Sequence, residues 1–214
     1  MAFVVRPYVP GDRAEVRRIF AETADAGGPI EGFFHDRELA ADLVTGPFLD
    51  VEPEWSWVAE SDGKVAGYLT GAVRTDFRRR WKVAVGGTKA FLRAAGRRTF
   101  WRRSTARMAA AGFLTFLRGG ATPSVLRRYP ASLHIDLDSA FRGAGLGRRL
   151  MDCFIDQARS LGVPGVHAVV RGDNRSAHAF FRRMGFVELA RRPYYFPQGN
   201  ALRDLGVVIF GKTL

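Results

Sequence analysis

The chain has 214 residues, 47% of them hydrophobic, and a formal charge of +12. That size and apolar content predict one domain, residues 1–214, with a real core. No segment approaches the roughly eighteen uninterrupted apolar residues of a transmembrane helix, and the start MAFVVRPYVPGD lacks the basic-then-apolar layout of a signal peptide. The single cysteine, Cys153, excludes an internal disulfide and fits a reducing cytoplasm. The four histidines, His35, His134, His167 and His178, show no metal-ligand spacing, so no metal site is expected.

In chain order, FVVRPYVPGD reads as a first strand ending in a Pro-Gly turn. Asp12 can cap a helix that carries Val16, Ile19 and Phe20 on one face. Ala24 to Pro29 is a loop. A second helical stretch covers about His35 to Val44, and Gly46-Pro47 should end it. Trp55 to Glu60 reads as a strand, Ser61-Asp62-Gly63-Lys64 as a hairpin turn, and Lys64 to Arg74 as the return strand.

A basic segment follows. Residues 74–120 hold thirteen Lys/Arg and one acid, Asp76, while the remainder is balanced at twenty of each. The whole charge excess therefore sits in one insertion. Gly86-Gly87, Gly96 and Gly112 divide it, so the expected form is short amphipathic helices with arginine-rich outer faces. Ordinary loops run to about four to six residues, so a segment this long is functional or disordered. Its seven aromatics, Phe77 to Phe116, argue against full disorder. Four readings stay open: a lid over a substrate, a polyanion or membrane surface, a partner patch, or a solvated basic face whose apolar side packs on the domain.

The stretch LHIDLDSAFRGAGLG, Leu133 to Gly147, organises the rest. An apolar strand passes through a polar turn into Arg142-Gly143-Ala144-Gly145-Leu146-Gly147. A helix then carries Leu146, Leu150, Phe154, Ala158 and Leu161 on one face. Unpaired N–H groups at a helix start, approached through glycines, suit a phosphate or pyrophosphate. A dinucleotide fingerprint counted from Gly143 would need glycine where Arg148 stands, and no Walker Gly-Lys-Ser/Thr follows. After Gly162 comes a second strand, VPGVHAVVR, then Asp173-Asn174. A short helix follows with Ala177, Phe180, Phe181 and Met184 on one face, stopping at Gly185. Asn174 can also serve simply as that helix's cap. The tail reads as two strands joined by a loop, with Val207-Val208-Ile209-Phe210 buried in the last.

Arg142-x-x-Gly145-x-Gly147 resembles the pyrophosphate loop of the GNAT acetyltransferases. Asn174-x-x-Ala177-x-x-Phe180-Phe181-x-x-x-Gly185-Phe186 resembles their second motif, which flanks the pantetheine arm. Arg128-Tyr129-Pro130-Ala131, the Gly-Val-Pro-Gly-Val-His run, Ala26-Gly27-Gly28 and the ending Val-Val-Ile-Phe-Gly-Lys-Thr-Leu are similar to bacterial GNAT proteins related to the C-terminal acetyltransferase-like region of O-GlcNAcase. The resemblance runs from about Val5 to the end, outside the insertion. It implies an α/β (α+β) GNAT fold: a twisted mixed central sheet of about six or seven strands flanked by helices, splayed in the middle, with the basic helical insertion before the central strand. It also implies acetyl-CoA as acetyl donor, a primary amine of a small molecule or protein as acceptor, and a monomer or homodimer.

On that reading the amides near Leu137 and Asp138 hold the thioester carbonyl. The loop Arg142, Gly143, Ala144, Gly145, Leu146, Gly147, Arg148 holds the pyrophosphate. Asn174, Ala177, Phe180 and Phe181 line the pantetheine and adenine side. Asp136, a carboxylate in an apolar strand, is the first candidate for catalytic base; pairing with an arginine is the structural alternative. Asp25 and Asp173 are weaker candidates. The position usually held by a proton-donating tyrosine is Phe181. That leaves a slow transferase, water or another donor such as Tyr194 or Tyr195, or a domain that only binds acetyl-CoA as sensor or scaffold. Docking of nucleic acid or anionic membrane through 74–120 is a third, less favoured function.

Overall fold

The computed structural model describes residues 3–73, 76–118, 127–199 and 201–214. Arg74, at the end of the expected return strand, and residues 119–120 of the insertion lie outside them. A seven-stranded sheet forms the frame. β1 (Phe3–Pro7), β2 (Ser56–Ser61), β3 (Lys64–Ala72) and β4 (Ala131–Leu137) run in sequence order, followed across the sheet by β5 (Gly165–Arg171), β9 (Val207–Thr213) and β6 (Val187–Arg192). Every neighbouring pair is antiparallel except β4–β5, which is parallel. The tail expected to hold two strands holds four, because β7 (Tyr195–Gln198) and β8 (Ala201–Asp204) pair as a separate hairpin.

The two sheet faces bury different clusters. One is covered by α6 (Leu146–Ser160), whose Leu150, Met151, Phe154 and Ala158 are fully buried against Trp55, Leu69 and Val166. The other is covered by α1 (Arg13–Thr23) and α2 (Arg37–Val44), whose Val16, Ile19, Phe20 and Leu39 pack around the fully buried Tyr68 of β3. Asp12 stands before α1 as expected, but its carboxylate makes no side-chain cap there. It takes two bonds from Arg6, at 2.7 and 2.8 Å, and one from the Val9 amide at 2.9 Å. The Arg6 contact holds its pKa below the usual carboxylate value against the opposing effect of burial. Gly46-Pro47 does follow the end of α2, and it opens a further turn, α3 (Gly46–Leu49), because proline fits a first helical turn.

The insertion departs most from its sequence pattern. Gly86-Gly87 and Gly112 do not divide it: α4 runs unbroken from Phe77 to Ala95 and α5 (Arg103–Leu117) passes through Gly112. A helical glycine costs only about 1 kcal/mol against alanine, and the alanines and tertiary anchors around it offset that. The anchors are ion pairs pointing inward. Arg79 reaches Glu52 at 2.6 Å, Arg93 reaches Asp42 at 3.0 Å, and Arg97 binds Asp36 through two bonds of 3.0 and 3.2 Å. Asp36 is 1% exposed and also caps α2 through the Leu39 amide.

Removing one partner of a buried pair costs about 3–5 kcal/mol, and less where the partner is partly exposed, as Arg97 is. Arg97→Ala is therefore expected to destabilise the fold by about 2 kcal/mol, read from the urea midpoint. An unchanged midpoint would mean that the insertion is not anchored by this pair.

Candidate functional site

The site begins where the sheet opens. β4 pairs with β3 through six consecutive residues, yet with β5 only at Ala131–Val166 and Ser132–His167. Beyond Ser132 the two strands diverge, and a cavity of about 560 Å3 occupies the space. Asp138 N–H bonds Ala66 O at 3.0 Å, which fixes the alternation along β4. The N–H groups of Ile135 and Leu137 therefore face away from β3, toward the gap. One sequence expectation is corrected here. The Asp138 amide, assigned to the thioester carbonyl, is already used within the sheet. The Asp138 carboxylate is used as well, capping Ala140 N at 3.1 Å and pairing with Arg18 at 3.2 Å.

The loop after β4 ends in an uncapped helix. Gly145 occupies the N-cap of α6 with a left-handed φ of 78° and supplies no side-chain bond. Gly143 also has positive φ, at 83°. Gly143, Ala144, Gly145 and Arg148 are exposed. Backbone N–H groups thus converge on solvent at the positive end of a fifteen-residue helix, an arrangement suited to an anion. Gly147 is needed for a different reason. A Cβ there would stand 3.1 Å from the Phe180 ring and 3.5 Å from the Leu137 side chain, so the β4 end, α6 and α7 (Arg175–Arg183) meet at this point. The Arg142 side chain points inward, donating to Leu137 O at 3.3 Å and Gly27 O at 3.2 Å, and so ties the loop to β4 and to the segment after α1.

The cavity wall holds Asp136, Asn174, Ala177 and Phe181 of the residues expected from sequence. Leu137, Phe180 and the Arg142–Arg148 loop lie outside that wall, joined to it through β4 and α7. Asn174 spends its Oδ1 on the α7 cap, accepting from Ala177 N at 3.1 Å and Ser176 Oγ at 3.0 Å. Phe181 is 4% exposed and stacked on Phe210 at 5.7 Å, so it is a core residue that also touches the cavity. Tyr194 lines the cavity and burial raises its pKa, which keeps its proton on. Tyr195 is absent from the lining; its N–H bonds Thr115 Oγ1 of α5.

Asp136 is paired, but not with arginine. Its Oδ2 accepts from Tyr68 Oη at 2.8 Å and lies 2.9 Å from His134 Nε2. The alternation of β4 puts residues 134 and 136 on one face, and the β3–β4 register sets Tyr68 opposite Asp136. Burial first, then Asp136, raises the Tyr68 pKa well above the usual phenol value. Burial lowers the His134 pKa, but the Asp136 charge and hydrogen bond outweigh it, and the net shift is upward. With Nε2 as the donor in this contact, the lone pair falls on Nδ1. His134 and Tyr68 escaped the sequence reading. The i, i+2 spacing of His134 and Asp136 on a strand was the available signal.

The other acidic candidates are held elsewhere. Asp25 pairs with Arg171 at 2.7 Å and Asp173 with the same guanidinium at 2.8 Å. The Arg171 hydrogen bond lowers the Asp173 pKa against burial. Arg171 also lies over the Phe196 ring, 4.9 Å from its centroid.

With this geometry in hand, comparisons place the chain. Residues 110–186 match the model of the acetyltransferase (GNAT) family. The solved structure of SsHAT is 30% identical, with a TM-score of 0.73 over 100% of this chain and 98% of its own. O-GlcNAcase of Rattus norvegicus is 22% identical over 214 residues, 99% of this chain and 22% of that protein. N-alpha-acetyltransferase RimI of Mycobacterium tuberculosis is 39% identical over 90 residues, 41% of this chain and 52% of that protein. The chain belongs to the GNAT family of acetyltransferases. It spans under a quarter of the length of O-GlcNAcase and about half that of RimI.

Asp136→Asn should lower the His134 pKa, because the raising partner is gone while burial remains. An NMR titration of the His134 ring reads this directly, and an unchanged or higher value contradicts the pairing. Gly145→Val should weaken acetyl-CoA binding by about tenfold or more, since a branched residue resists positive φ and crowds the anion. Calorimetry on the folded variant below its urea midpoint is the check, and wild-type affinity would contradict the assignment.

Proposed function

We propose that the chain transfers the acetyl group of acetyl-CoA to a primary amine, of a small molecule or a protein, by direct attack on the thioester. The observation that carries this reading is the hydrogen-bonded Tyr68–Asp136–His134 row at the wall of the cavity between β4 and β5. The uncapped start of α6 supports a diphosphate, and the Ile135 and Leu137 amides support the thioester carbonyl. The names of relatives such as RimI, an N-alpha-acetyltransferase, agree with an amine acceptor.

In this mechanism a neutral amine nitrogen attacks the thioester carbon. The C–N bond forms as the carbonyl electron pair moves to oxygen, where the β4 amides donate to it. His134 Nδ1 takes the amine proton, and Asp136 holds the ring and stabilises the imidazolium. Asp136, first taken as the base itself, becomes the positioning residue, since its Oδ2 already serves both Tyr68 and His134. Collapse of the intermediate breaks the C–S bond and releases CoA thiolate. Tyr194 gives its proton to sulfur, in place of the tyrosine that Phe181 cannot supply, and regains one from the His134 imidazolium through solvent, which restores both groups.

Phe181 favours a second reading, a weak or silent domain that binds acetyl-CoA as a sensor or scaffold. Its ring is packed in the core and has no proton to give. Single-turnover CoA release with a panel of amines separates the two. The transferase reading expects release with at least one amine and a kcat/KM that rises with pH through a pKa above the ordinary imidazole value. It also expects kcat to fall by about 10²- to 10⁴-fold in His134→Gln, with acetyl-CoA affinity unchanged. Tight cofactor binding with no turnover for any amine would establish the silent domain instead.

A further inference from the structure

The insertion carries its apolar face outward. In α4 the residues packed on the domain are small, Ala90 and Ala94, both fully buried. The opposite side presents Phe77, Trp81, Ala84, Thr88 and Leu92, successive steps of three or four residues, every one exposed. Trp81 is 63% and Leu92 71% exposed. Alongside that stripe run Arg78, Lys82 and Lys89, also exposed, and α4 contains no acidic residue. In α5 the buried residues are again small, Ser104, Ala111 and Thr115, with Met108 packed beside them, while Ala106, Phe113, Phe116 and Leu117 face solvent. Trp101, between the helices, is 73% exposed. This pattern reverses the solvated-basic-face reading: several arginines turn inward as anchors and the large apolar side chains turn out.

We infer that α4 and α5 dock this domain on an anionic lipid surface, with the Phe77–Leu92 stripe and the α5 aromatics in the boundary between headgroups and acyl chains. Charge decides among occupants. The exposed Arg78, Arg80, Lys82 and Lys89, with no acid on α4, make a second copy of the same face a repulsive partner. A nucleic acid would satisfy the cations but leave Leu92, Phe113 and Leu117 wet, with no hydrocarbon to receive them. A bilayer with acidic headgroups satisfies both: lysine and arginine bind the headgroups while tryptophan, phenylalanine and leucine enter the apolar boundary. Among the described residues no helix is long and apolar enough to cross a membrane, so the helices lie in the surface.

The test uses the full chain with phosphatidylcholine vesicles, with and without phosphatidylglycerol. Sedimentation should bring the protein down with the acidic vesicles only. Brominated acyl chains should quench the fluorescence of Trp81 and Trp101, since Trp55 and Trp57 are buried. Trp81→Ser with Leu92→Ser should lower partitioning by about tenfold, and Lys82→Glu with Lys89→Glu should do the same, both with acetyl-CoA affinity unchanged. Equal binding to neutral vesicles, absence of acyl-chain quenching, or wild-type partitioning by both double variants would overturn the inference. So would concentration-dependent dimers in sedimentation velocity that the Trp81→Ser, Leu92→Ser pair disperses, which would assign the face to a second copy.

Discussion

The structure depends on a break in its own sheet. β5 is paired with β9 along all seven residues, and β4 with β3 along six, yet β4 and β5 share only two partners. Backbone groups left without a ladder must find partners in ligand or water, because a buried amide without one is costly. The divergence therefore creates a slot lined by main-chain donors whose direction is set by the intact β3–β4 ladder. Both walls are rigid: α6 buries Leu150, Met151 and Phe154 beneath one face, and α1 and α2 enclose Tyr68 beneath the other.

That rigidity gives the polar row its place. Tyr68, Asp136 and His134 are brought together by strand register alone, without a loop that could shift. Asp136 sits 20% exposed and His134 32% exposed at the slot, so the pair is accessible from the cavity while Tyr68 anchors it from the core. Burial and charge oppose each other at His134, and the charge prevails. The result is an imidazole tuned toward the basic side and held in one orientation, properties suited to taking a proton from an amine.

Much of this was legible in the sequence, and the reasons are local. Gly145 and Gly147 precede an apolar period, and Asn174 precedes Ala177 and Phe181, so the loop, α6 and α7 could be read from spacing. Individual strands of the main sheet followed from short apolar runs bounded by turns, and their arrangement in one mixed sheet from the GNAT resemblance. What escaped depends on distant partners. The fate of the Asp138 amide rests on Ala66, far earlier in the chain on β3, and the pairing of Asp136 rests on Tyr68 across the β3–β4 register. The unbroken α4 escaped because Glu52 and Asp42 hold its Arg79 and Arg93 from elsewhere in the chain, and Asp36 holds Arg97 just past its end, which offsets the helix-breaking tendency of Gly86-Gly87.

The central claim is that the opened edge of β4 and the start of α6 together receive one ligand. Amide hydrogen exchange with and without acetyl-CoA tests it most directly, because it reads those N–H groups one segment at a time. The account predicts new protection at both Ile135–Leu137 and Gly143–Arg148. Bound cofactor with exchange at both segments unchanged would contradict it.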